Sequence, residues 1–112
     1  MLIKVDIYHN ETHSNFRGFD PKVDFLLYVA SEEVEINLLH FGSELTRVAE
    51  QIFAEWNSGS GQESEKFLSM NCRSLSVGDV LVFPEAETSL ACASFGWDVV
   101  TPDPDFMFRK VA

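Results

Sequence analysis

The chain opens on alternation. Ile3, Val5 and Ile7 are apolar, and Lys4, Asp6 and Tyr8 stand between them. A period of two is the signature of a half-buried strand. The stretch His9 to Pro21 is polar, rich in Asn, Ser and Gly, and reads as a loop. Phe25 to Ala30 is short and continuously apolar, which predicts a central strand covered on both faces. Ser31-Glu32-Glu33 reads as a turn, after which Val34, Ile36 and Leu38 alternate with Glu35 and Asn37. The pattern predicts a hairpin with one acidic face.

The period then changes. Leu45, Val48, Ala49, Ile52, Phe53 and Trp56 fall at i, i+3, i+4, i+7, i+8 and i+11, one apolar stripe along a helix over 43–56. Ser43 is placed to cap it, and Glu44 suits the positive end of its dipole. Asn57-Ser58-Gly59-Ser60-Gly61 ends it. Phe67, Leu68 and Met70 predict a short helix or turn over the core. Val80 to Phe83 reads as a strand stopped by Pro84, Ser89 to Phe95 as its hairpin partner, and Trp97 to Val100 as a further strand. Pro102 and Pro104 end regular structure, leaving Phe106 and Phe108 to dock as a tail. These elements predict an α+β fold in one domain, 1–112. Its mixed or antiparallel sheet has about four to six strands, with one main helix packed on one face.

Charge narrows the choice of partner. Eighteen acidic residues face eight basic ones, a net charge of -10. Asp20 to Glu65 holds ten acids and two bases, Lys22 and Arg47; Ser74 to Phe108 holds six acids and no base. Direct nucleic-acid binding needs Lys and Arg to release counterions, so it is disfavoured, as are anionic membrane surfaces. A basic partner is favoured, because complementary fields speed encounter. Acidity that serves solubility alone is the competing reading. The N-terminus lacks the basic region and long apolar stretch of a signal peptide, and the longest apolar run is too short to span a bilayer. Cys72 and Cys92 form no CxxC and no zinc-type spacing. The expectation is a reduced, cytoplasmic protein.

Three motifs invite chemistry. Ser76-Val77-Gly78-Asp79 has one glycine before a strand. A phosphate loop needs several glycines before a helix, so a structural turn is expected, with Gly78 at positive φ and Asp79 bonded to nearby amides. His9, Glu11 and His13 could supply two imidazoles and a carboxylate to a divalent metal, but their spacing is not HExxH and the segment reads as a loop. Chance clustering is the preferred reading, with no metal or other cofactor. The paired carboxylates Glu32-Glu33, Glu85/Glu87 and Asp103/Asp105 all lie in apparent turns, and no catalytic set is assembled.

"IFAEWN" (Ile52 to Asn57), a polar loop, "RSLSVGDVLVF" (Arg73 to Phe83), a short hairpin and "SFGWDVV" (Ser94 to Val100) follow one order. Over about residues 45–100 that order resembles YodL-like domains and the small acidic proteins of bacterial phages and mobile elements. The resemblance implies an accessory protein without a transferable activity. Small acidic proteins of that setting act by occupying a host protein's nucleic-acid site, an association by analogy. The sequence therefore predicts a non-catalytic nucleic-acid mimic that docks Glu32, Glu33, Glu35, Glu44, Glu50 and Glu55 on a basic host protein. The alternatives are a small metal-dependent enzyme using the 9–13 histidine loop, and a small-molecule or peptide binder in a sheet groove.

Overall fold

The computed structural model describes residues 1–12 and 18–109. It shows an α+β chain with a mixed six-stranded sheet and one main helix. Two compact units divide it, 1–35 with 76–112, and 36–75.

The first unit is the sheet. Its strands are β1 (Leu2–Asn10), β2 (Leu26–Glu35), β3 (Val80–Phe83), β4 (Thr88–Cys92), β5 (Trp97–Val100) and β6 (Met107–Arg109), in the spatial order β5-β4-β3-β1-β2-β6. Every pairing is antiparallel except β2 with β6. β1 lies between β2 and β3, so its second half is buried on both faces, and the strand continues through His9 and Asn10, which read as loop in sequence. One face collects Tyr8, Leu26, Val80 and Ala91, with Phe19, Tyr28, Val82, Val100 and Met107 packed against them. The other carries buried Ile3, Val5, Ile7, Leu81, Phe83 and Leu90.

The predicted hairpin at Ser31-Glu32-Glu33 is corrected. β2 is one ten-residue strand, paired with β1 from Leu2↔Glu35 to Asn10↔Leu26, and its register shifts between Ile7 and Tyr8. Two residues of the polar triplet, Ser31 and Glu33, have a use in the strand. Ser31 donates to Asp6 Oδ1 and shares a 2.6 Å hydrogen bond with Tyr28 Oη. Glu33 stands opposite Lys4. The expected tail after Pro104 is a 3₁₀ turn followed by β6, and the rings of Phe106 and Phe108 lie 5.0 and 5.6 Å from that of Phe25.

The second unit carries α1 (Phe41–Glu55) and α2 (Glu65–Met70). Leu45, Val48, Ala49, Ile52 and Trp56 are buried and Phe53 is half-buried, as the 3.6-residue period predicts. Ser43 is not the cap. A 3₁₀ turn over Leu38–His40 leads into α1 two residues earlier than expected, and the Ser43 hydroxyl donates to the carbonyl of His40 at 3.1 Å. A helix end leaves four carbonyls without intrahelical partners. Here the loop before α2 and the segment after it supply donors. Asn57 Nδ2 donates to Phe53 O at 2.8 Å, Ser60 Oγ to Ala54 O, Ser64 N to Glu55 O and Leu75 N to Trp56 O. Ser64 then caps α2 by accepting from Phe67 N.

The Ser76-Val77-Gly78-Asp79 segment is a turn leading into β3, as expected. Gly78 has φ +96 and is buried, and its amide donates to Cys92 O at 2.8 Å. A side chain at positive φ costs about 1–2 kcal/mol. Gly78→Ala is therefore expected to lower stability by about that amount in a urea titration. An unchanged midpoint would show that the turn relaxes to negative φ.

Candidate functional site

The six predicted carboxylates fall into two groups, one on each unit. On β2, Glu33 and Glu35 share one face and are exposed, whereas Glu32 points to the other and is half-buried. Glu35 Oε1 is 2.5 Å from the N-terminal ammonium. The same face holds Lys4, whose Nζ is 3.4 Å from Asp6 Oδ1 and whose backbone amide donates to Glu85 Oε2. Glu85 thus reaches β1 from a distant point in the sequence, through the 3₁₀ turn Pro84–Ala86.

On α1 the arrangement differs from a uniform acidic surface. Arg47 donates to Glu44 Oε2 at 2.6 Å and to Gln51 Oε1 at 3.3 Å, and Gln51 Nε2 donates to Glu55 Oε1 at 3.0 Å. Glu44, Arg47, Gln51 and Glu55 are one hydrogen-bonded row in which the guanidinium pairs with Glu44 and Gln51 bridges it to Glu55. Glu50 lies outside it, about 120° around the axis from Glu44 at 3.6 residues per turn. The hydrogen bond from Arg47 is the main cause that holds the Glu44 carboxyl below its ordinary pKa, and Glu44 in turn raises that of Arg47. In the loop after α1, Glu63 is lowered too, chiefly by backbone amides, its own first and then that of Gly59.

Two of the three residues of the metal alternative are described. His9 is a buried β1 residue, 4% exposed, and Glu11 is exposed just beyond the strand; His13 lies outside the described residues. Among the described residues no group of three or more His, Cys, Asp or Glu is placed to hold a metal ion.

One polar cluster went unforeseen. Asp79, 1% exposed, accepts from Asn10 N at 2.7 Å and from Ser76 N at 2.9 Å. The Asn10 side chain donates to Asp24 Oδ2 at 2.9 Å and to Gly78 O at 3.2 Å, and Asp24 Oδ2 also accepts from Asp20 N. Asp24 is fully buried. The cluster ties the end of β1 to the turn before β3 and to the segment before β2. Its donors and acceptors match one another, which is the mark of a structural tie. No periodicity signals it, because 69 residues separate Asn10 from Asp79.

Compared with family models, curated proteins and solved structures, the chain matches none. No described helix is long and apolar enough to cross a membrane.

Proposed function

We propose that the protein is a non-catalytic binding module, cytoplasmic, that docks its carboxylates on the basic nucleic-acid-binding surface of another protein. The observation that carries this reading is the charge, -10 over 112 residues. Exposed Glu33, Glu35 and Glu50 add to it at positions that the buried core does not use. A duplex presents regularly spaced negative charges that a basic protein meets with Lys and Arg. Exposed carboxylates can meet the same groups. Glu44 contributes through a carboxylate already bonded to Arg47, and Glu55 through one that accepts from Gln51.

The test is displacement. A fluorescent DNA duplex is bound to a panel of basic DNA-binding proteins, and this protein is added at rising salt. The wild type is expected to release duplex from its partner at low salt and to lose that effect as exposed charges are screened, within about 8 Å at physiological ionic strength. Glu44→Lys, Glu50→Lys and Glu55→Lys together are expected to weaken release. Release of no duplex from any panel member at low salt would count against mimicry.

A further inference from the structure

The sheet leaves one edge open at β5, whose sole strand neighbour among the described residues is β4. The direction of its backbone groups follows from two independent bonds. Ala93 N donates to Gly96 O at 3.0 Å, which closes the β4–β5 hairpin. Cys92 N donates to Asp79 O, and Cys92 O accepts from Gly78 N, so both polar groups of Cys92 point away from β5. Bonded and non-bonded pairs alternate along an antiparallel ladder. With Cys92↔Trp97 non-bonded, Ala91↔Asp98 is bonded and Leu90↔Val99 is non-bonded. The N–H and C=O of Val99 therefore face the open edge.

The side chains there are apolar and exposed. Val99 is 76% exposed, and Phe95, at the tip of the hairpin, is 95% exposed. Natural proteins blunt such edges with lysine, proline or cover, since an open edge recruits another strand. β5 has no lysine, and its own charge is Asp98, which is exposed. The register sets Val100 opposite Ser89, so the strand ends at the side of the sheet where the Glu85–Glu87 turn precedes β4. Asp103 and Asp105 follow β5, and no basic residue occurs between Ser74 and Phe108.

We infer that β5 accepts an extended segment of a basic partner as a seventh strand, with backbone bonds to Val99 and apolar contacts to Val99 and Phe95. Strand addition takes affinity from main-chain bonds and specificity from alternate side chains. The charge selects the occupant. A second copy would bring its own -10 and a second Asp98 onto the seam, whereas a segment with lysines at alternate positions meets Asp98 and its acidic flanks. The inference rests on the basic-partner reading above and adds to it a place and a mode of binding.

The probe is an eight-residue peptide of alternating lysine and valine, with a glutamate-valine peptide as control. Amide exchange by NMR reads the site and fluorescence anisotropy reads affinity. The lysine peptide is expected to slow exchange of the Val99 amide at least tenfold, and the glutamate peptide to leave it unchanged. Val99→Pro removes the open-side donor at an edge position where proline is tolerated, and is expected to weaken binding at least tenfold. Val99→Thr keeps the donor and the β-branch, and is expected to retain most of it. Circular dichroism confirms that both variants fold. If the peptide binds with salt dependence yet leaves Val99 exchanging as before, the edge proposal is wrong and the acidic reading stands. Protection of Val99 that ignores salt upholds the edge and sinks the acidic reading. Dimerisation through β5, read by sedimentation with Val99→Pro monomeric, overturns the choice of partner.

Discussion

Trp56→Ala is expected to lower stability by about 3–5 kcal/mol, the cost of emptying the space of a large aromatic side chain. Trp56 is fully buried at the end of α1, and its ring lies 5.5 Å from that of Phe67 on α2. It therefore joins the two helices of its unit, and its own carbonyl accepts from Leu75 N at 3.0 Å. The indole Nε1 is buried with no hydrogen-bond partner among the described residues. A buried donor without an acceptor is itself unfavourable. Trp56→Phe removes that donor while keeping most of the ring volume, so its cost should be less than half that of Trp56→Ala. Chemical denaturation of the two variants checks the order. Equal losses would mean that the aromatic volume contributes little.

Asp79→Ala should cost about 2–4 kcal/mol. The change takes the acceptor from Asn10 N, which is buried, and from Ser76 N, which water can reach in part. An unsatisfied buried donor costs ~1–3 kcal/mol, and the second lost bond adds ~1 kcal/mol. Asp79→Asn keeps one carbonyl oxygen and should fall between the wild type and the alanine variant. Both effects belong to stability and not to partner recognition, since the carboxylate is buried. A loss of binding with an unchanged melting temperature would contradict the structural assignment of the Ser76–Asp79 turn.

Those residues show what could be read in advance and what could not. The α1 stripe was legible because its six apolar positions repeat over three turns, and tertiary context confirms five of them as buried. β1 was legible from its alternation, and β3, β4 and β5 from short apolar runs bounded by Gly, Pro or acidic turns. β2 was not, because Ser31-Glu32-Glu33 has turn composition, and a register shift against Ile7/Tyr8 breaks the period where continuity had to be seen. β6 is three residues long and follows two prolines, too little for any pattern. Asp79 was legible as a turn residue, but its bond to Asn10 depends on β1 and β3 being neighbours, which only the sheet order supplies.

The acidic site was legible as composition and only partly as geometry. A helical wheel places Glu44, Arg47 and Glu55 on one side. It does not show that Gln51 bridges Arg47 to Glu55 by accepting from one and donating to the other. Nor does the alternation of a supposed hairpin show Glu85 bonded to the amide of Lys4, 81 positions away.

The most direct test of the central claim, that recognition is electrostatic, is the association rate with the partner found by displacement, measured by stopped flow across ionic strength. Complementary charge acts chiefly on the rate of encounter. The wild type is expected to associate fastest at low salt and to slow steeply as salt rises. The protein with Glu44, Glu50 and Glu55 changed to Lys is expected to start slower and to converge with it at high salt. Equal rates for the two proteins, flat across the salt series, would contradict the claim and leave the acidity to solubility.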